Sequence, residues 1–128
     1  MAGLTSGRTY ISKPIIAAVN GYALGGGFEM ALCSDVIVAE ESAMIGLPEI
    51  LFNLFPGMGA MSFVLRRSSM KIAEELTSSP DLLSAGDMLQ KGIIDLVVND
   101  GEGPAAVNDY LRHKEPMARG LLQVRRRV

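Results

Sequence analysis

The chain is short of the residues that mark several classes of protein. It has no Trp, four Phe, three Tyr, one Cys and one His among its 128 residues. A single cysteine, Cys33, cannot form an internal disulfide, which favours a reducing compartment. A single histidine, His113, cannot build a metal site, and no cluster of acids and histidine accompanies it in the sequence. We therefore predict neither a metal site nor a bound cofactor.

Charge of one sign and long apolar runs are also missing. The 12 basic and 14 acidic side chains give a net charge of −2, which offers no electrostatic reason to expect nucleic acid or an anionic membrane as a partner. No apolar run approaches the roughly 20 residues that a membrane span needs. Residues 1–13 lack the apolar segment of a secretory signal. The sequence thus predicts a soluble, cytoplasmic protein.

What the chain does contain is enough apolar material for one core. Apolar residues make up 48% of the sequence, and 128 residues are one domain at most. Strand-like and helix-like segments alternate, which is typical of an α/β protein. We predict a buried strand and a turn within 13–22 and further extended segments within 35–40, 43–50 and 93–100. We predict helices within 26–33, 56–67, 70–79, 84–92 and from 104 onwards, with a possible break at Pro116.

Three consecutive glycines stand where the first helix is predicted to begin. A strand, then Gly25, Gly26 and Gly27, then a helix places unpaired backbone N–H groups where a ligand can approach closely. The helix dipole favours negative charge there. The segment lacks the Lys-Ser/Thr of a phosphate-binding loop, so a polarised thioester carbonyl fits better than a phosphate. The alternative is that the glycines only allow tight packing of the helix on the strand.

Glu29 lies in the first turn of this helix, on the face of the helix entrance. Its neighbours in the sequence are apolar, so we expect it to be partly buried, and a buried carboxylate needs a reason. The alternative is an exposed acid that complements the helix dipole.

Glu49 is the only charged residue between Glu41 and Arg66. It is either a surface loop residue or a placed catalytic group. Two carboxylates near one oxyanion site suit acid/base chemistry at a C–H and a C–O bond.

Three stretches together identify a family that the chain resembles: "KPIIAAVNGYALGGGFEMALCSDVIVAEESAMIGLPEI" (13–50), "FPGMGA" (55–60) and "LLSAGDMLQKGIIDLVV" (82–98). They resemble the crotonase superfamily, also called enoyl-CoA hydratase/isomerase. Within it, "GLPEILFNLFPGMGAMSFVLRR" (46–67) most resembles the diffusible signal factor synthases.

The resemblance implies a crotonase-like ββα spiral that assembles as a trimer, often as a dimer of trimers. It implies that Gly26 supplies one oxyanion-hole N–H and that Glu29 and Glu49 are the two catalytic acids. It also implies a set of residues that bind the acyl thioester: Gly25, Leu47, Phe52, Leu54, Phe55, Gly57 and Met58. Phe52, Leu54, Phe55 and Met58 could equally be core residues.

The function that the closest resemblance implies is that of an acyl-thioester dehydratase and thioesterase. Such enzymes form a 2-enoic fatty acid signal from a 3-hydroxyacyl group on acyl carrier protein. One alternative is a general enoyl-CoA hydratase/isomerase that acts on coenzyme A thioesters. The other is an inactive interaction subunit.

The chain departs from the family pattern because the N-terminal half of the family domain, which supplies the second oxyanion N–H, is missing from this sequence. We expect residues 1–128 to form one partial crotonase-like domain, with a core at 13–100 and a helical region at 103–128.

Overall fold

The computed structural model of the protein describes residues 11 and 13–113. The strands are β1 (Ile16–Val19), β2 (Tyr22–Leu24), β3 (Val36–Glu40), β4 (Met44–Gly46), β5 (Leu83–Ser84) and β6 (Leu96–Val98). The α-helices are α1 (Gly26–Leu32), α2 (Ala60–Arg67), α3 (Met70–Ser78), α4 (Ala85–Gln90) and α5, whose described part is 103–113. A 3-10 helix covers Pro48–Phe52.

The strands form two sheets of three strands each. One sheet has the order β1-β3-β6, and all of its pairs are parallel. The other has the order β2-β4-β5, in which β2 and β4 are parallel and β5 is antiparallel to β4. The two strand–strand–helix units, β1-β2-α1 and β3-β4-α2, each add one strand to each sheet, and β6 and β5 complete the two sheets. This repeat is the ββα spiral that the resemblance implies, and the α/β fold class is confirmed.

The core is built from aliphatic side chains, with Phe28 as its one buried aromatic residue in the described part of the chain. Every residue of β3 is buried, which is expected for the central strand of a parallel sheet, with a neighbour on both sides. The segment "VIVAE" is therefore the buried central strand of its sheet.

Two predicted strand segments differ from the structure. We expected the first strand to be buried, but β1 is at an edge of the described sheet; three of its residues are partly buried, and Ala18 is exposed. The segment 43–50 is extended only as far as Gly46, because Pro48 starts a short 3-10 helix instead. The short strands β2 and β5 were not predicted, since two or three residues carry too little periodicity to be recognised.

The predicted helix ends were largely right. Ser84 accepts a hydrogen bond from Asp87 N and starts α4, and Gly92 follows it with a φ of 78°. The helix predicted within 56–67 begins later, at Ala60, after a glycine-rich loop. The possible break at Pro116 lies outside the described residues. Within 11 and 13–113, no helix is both long and apolar enough to cross a bilayer.

Candidate active site

The loop between β2 and α1 has a backbone conformation that suits glycine. Gly25 has φ 52° and ψ −122°, a combination that side chains on Cα oppose. Its N–H donates to Gly46 O at 3.0 Å, which fastens the start of α1 to the end of β4. Gly26 is then the first residue of α1, where an N–H has no acceptor within its own helix.

Glu29 lies one turn further along α1 and is 2% exposed. Its Oε1 accepts hydrogen bonds from Met58 N at 2.9 Å and from Ala60 N at 3.1 Å. These amides belong to the loop before α2 and to the first residue of α2, so Glu29 caps α2 from 31 residues away. The exposed, dipole-complementing alternative is wrong for this residue, and its burial is more complete than we expected.

Glu49 lies in the first turn of the 3-10 helix, and it is partly buried. Asn53, in the left-handed conformation with φ 59°, ends that helix, and Leu54 N donates to Glu49 O at 3.1 Å. The Oε2 atom of Glu49 is buried and has no hydrogen-bond partner among the described residues. A buried oxygen of this kind is costly, and ligand chemistry is one of the reasons that proteins keep one.

Gly25, at the start of α1, lies next to the Glu49 carboxylate and is bonded to the backbone of Glu29. Glu29 N donates to Gly25 O at 2.9 Å. A Cβ atom added to Gly25 would lie 2.6 Å from Glu49 Oε1. The structure thus brings the Glu49 carboxylate, from the 3-10 helix, against the glycine that precedes α1, while the Glu29 carboxylate, from α1 itself, reaches the amides of Met58 and Ala60.

The predicted thioester-binding residues fall into three groups. Leu47 is fully buried in the core. Met58 is partly exposed, and its N–H is one of the donors to Glu29. Gly57 and the three large residues are exposed, the latter by 73% (Phe52), 63% (Leu54) and 61% (Phe55). The core alternative is therefore wrong for Phe52, Leu54 and Phe55, whereas Leu47, which was assigned to the bound thioester, is a core residue.

Two groups of this site were not singled out in the sequence. Gly46 O accepts a hydrogen bond from Gly25 N, and Ala60 N donates one to the Glu29 carboxylate. Backbone atoms carry both contacts, so the residue type gives no signal. The glycines in "FPGMGA" were the available hint, because Gly59 caps α2 with a φ of 103°.

Cys33 caps the C-terminal end of α1, and Arg67, the last residue of α2, bonds to the residue after Cys33. Burial, and then the negative charge of Glu29, raise the pKa of the Cys33 thiol, while Arg67 opposes the shift. Arg67 donates to Ser34 O at 2.6 Å and to Ile93 O at 3.3 Å, and it pairs with Asp95. The thiol is therefore a poor nucleophile at neutral pH.

Comparison with known protein families shows which family this chain is related to. The family described as enoyl-CoA hydratase/isomerase matches residues 5–112. The chain belongs to the enoyl-CoA hydratase/isomerase family. Its curated relatives include a mitochondrial enoyl-CoA hydratase of Pongo abelii, 44% identical over 86 residues. They also include a 2,3-dehydroadipyl-CoA hydratase of Escherichia coli K12, 43% identical over 83 residues.

Solved structures of this family share the fold. A carnitinyl-CoA dehydratase from Mycobacterium avium 104 matches with a TM-score of 0.81 and 34% identity, over 90% of this chain and 46% of that chain. An enoyl-CoA hydratase from Mycobacterium tuberculosis H37Rv matches with a TM-score of 0.75 and 36% identity, over 79% and 40%. The alignments to the two curated relatives cover 67% and 65% of this chain, but only 30% and 32% of theirs. The chain thus spans about a third of the length of those relatives.

Proposed function

We propose that this polypeptide adds water reversibly to 2-enoyl thioesters of coenzyme A. The observation that carries the proposal is the Glu49 carboxylate against Gly25 at the start of α1, the helix whose first turn carries the buried acid Glu29. The names of the relatives, which are CoA hydratases and dehydratases, support coenzyme A as the carrier.

The roles follow from the chemistry of hydration. A carboxylate takes a proton from water as the hydroxyl adds to the β-carbon, and a carboxylic acid gives a proton to the α-carbon. Negative charge gathers on the thioester oxygen in between, and the Gly26 N–H is the donor that we assign to it. In the reverse direction the same groups remove the α-proton and release water.

The carboxylates of the two acids differ in their hydrogen bonds. Two amide donors fix Oε1 of Glu29, which leaves its other oxygen for proton exchange. Glu49 brings an oxygen, Oε2, that has no partner among the described residues. A proton donor such as water would satisfy that oxygen.

The exposed apolar residues after Glu49 suit the acyl chain. Phe52, Leu54 and Phe55 lie in the segment that follows Glu49, and all three side chains are exposed. Contiguous exposed apolar side chains commonly mark a binding surface. We assign the acyl-binding surface to this segment, together with the backbone of Gly25 and Gly57. In a homotrimer of the kind that the resemblance implies, a neighbouring copy would enclose it further.

Hydration of crotonyl-CoA tests the proposal. The ultraviolet absorbance of the conjugated thioester falls as water adds, and the wild-type chain should show this loss. Glu29→Gln and Glu49→Gln should each lower kcat by about 10²–10⁴-fold. Glu41→Gln is the matched control, because Glu41 is an exposed acid near the site in sequence and should leave kcat unchanged. Full activity of both active-site variants would contradict the proposal.

A second candidate is the signal-synthase reaction on acyl carrier protein. The observation in its favour is the resemblance of segment 46–67, which contains both Glu49 and the exposed apolar residues. The chain would dehydrate a 3-hydroxyacyl group on the carrier and then hydrolyse the thioester. Mass spectrometry after incubation with a long-chain 3-hydroxyacyl carrier protein would detect free 2-enoic acid. Turnover of crotonyl-CoA without turnover of the carrier substrate would leave the hydratase assignment.

A further inference from the structure

A side chain at position 25 would make its closest contact with the carboxylate of Glu49. A Cβ atom built on Gly25 would lie 2.6 Å from Oε1 of Glu49, 3.4 Å from its Cδ and 4.0 Å from its Oε2. No real Cβ approaches an oxygen as closely as 2.6 Å. The carboxylate of Glu49 therefore occupies the space that a side chain at position 25 would fill.

The contact would be relieved at the acid and not in the fold. The atom that Cβ would meet is the end of a flexible side chain, which can rotate away at little cost. The backbone at Gly25 is held on the other side, because its N–H is bonded to Gly46 O and its carbonyl accepts from Glu29 N. A methyl group at position 25 would thus displace the Glu49 carboxylate first.

We propose that Gly25 is a positioning residue for Glu49, and that its missing side chain sets the place of the second acid. The sequence assigned Gly25 to the bound thioester through its backbone; the geometry adds this separate role. The consequence for turnover rests on the proposed hydratase function, whereas the displacement itself does not.

The chain provides a matched control two residues away. Gly27 also lies in the glycine run, its φ is outside the left-handed range, and a Cβ atom there would meet nothing within 4 Å. Gly27→Ala therefore adds the same methyl group to the same helix start without touching Glu49.

Crystal structures of Gly25→Ala and Gly27→Ala test the displacement. We expect the Glu49 carboxylate to move by more than about 1 Å in Gly25→Ala, since a contact of 2.6 Å must open to an ordinary van der Waals distance. The bonds from Met58 N and Ala60 N to Glu29 should remain, and Gly27→Ala should move neither acid. An unmoved Glu49 carboxylate, with the backbone shifted instead, would overturn the inference.

Kinetics on the same variants test the consequence. Gly25→Ala should lower kcat for crotonyl-CoA by about 10²-fold, because a misplacement of about 1 Å can cost that much, with KM changed by less than about threefold. On a Glu49→Gln background, the same substitution should cost less than about threefold, since the acid is already disabled. Equal losses on both backgrounds would mean that the substitution acts elsewhere, for example on the Gly26 N–H, and would overturn the inference.

The inference can still be tested if Gly25→Ala does not fold or if the wild-type chain has no hydratase activity. If Gly25→Ala does not fold, Gly25→Ala/Glu49→Ala decides, because removal of the carboxylate leaves only the backbone conformation to oppose the methyl group. Folding of the double variant supports the inference, and failure of both assigns the glycine to its φ and ψ alone and overturns it. If the wild-type chain does not hydrate crotonyl-CoA, the proposed function fails, and the crystal structures still decide the displacement.

Discussion

The two acids of the site are held in opposite ways. Glu29 is buried on a regular helix, and its Oε1 accepts from two backbone amides. Glu49 is partly buried on a short 3-10 helix, and its buried Oε2 has no partner among the described residues. One carboxylate helps to hold α2 in place through two hydrogen bonds, whereas the buried Oε2 of the other makes no hydrogen bond with the described residues.

This difference in hydrogen bonding predicts that the two acids contribute differently to the stability of the fold and to the proposed activity. A buried acceptor with two donors contributes to folding, because its loss leaves both donors without a partner. A buried oxygen without a donor opposes folding and is tolerated for another reason. We therefore expect Glu29 to serve both the fold and the proposed reaction, and Glu49 to serve the proposed reaction alone.

The largest effect on stability is expected for Glu29→Ala. The change removes the acceptor for Met58 N and Ala60 N and leaves a cavity beside α2, so it should lower the free energy of unfolding by about 3–5 kcal/mol. Urea unfolding followed by circular dichroism measures this. Glu29→Gln keeps one acceptor oxygen and should cost only about 1 kcal/mol. If the alanine and glutamine variants were equally stable, Glu29 would not be the cap of α2.

A smaller effect, of either sign, is expected for Glu49→Ala. The variant loses a buried oxygen that makes no hydrogen bond in the described structure, so its free energy of unfolding should stay within about 1 kcal/mol of the wild type. The same urea titration serves, with the exposed Glu41→Ala as the reference. A loss as large as that of Glu29→Ala would remove the distinction between the two acids.

The smallest effect is a chemical one at Cys33. Burial and then the charge of Glu29 raise the pKa of this thiol, so Glu29→Gln should lower that pKa and increase the thiolate fraction. Alkylation of the chain's single cysteine at mildly alkaline pH should then be about twofold faster. Glu49→Gln should leave the rate unchanged, because Glu49 is not among the charges that act on Cys33. Equal rates in both variants would show that Glu29 carries no charge near the thiol.

Much of the fold could be predicted where a local pattern carries it. The buried segment "VIVAE" predicted β3, and Ser84 with Asp87 and Gly92 predicted the limits of α4. The segment after Pro48 was predicted wrongly, because a 3-10 helix of five residues lacks the periodicity that separates it from extended chain.

The candidate site could be predicted in its residues but only partly in its contacts. Glu29 and Glu49 were recognisable because each acid stands among apolar neighbours. Their different bonding was not, since it depends on the amides of Met58 and Ala60 and on the space at Gly25. Backbone donors and empty volumes have no residue type of their own, so a sequence pattern does not record them.

The sequence by itself determined the α/β class, the family and the two acids, because strand patterns, glycine runs and isolated charges are local properties. Only the tertiary structure decided what each acid does within the fold. The parallel pairing of β2 with β4 brings the end of β4 to the start of α1. This contact joins residues about 20 positions apart, and it places the Glu49 carboxylate against Gly25. The cap from Glu29 to Ala60 spans 31 positions. Such long-range contacts depend on how the whole chain packs, and local residue preferences do not determine them.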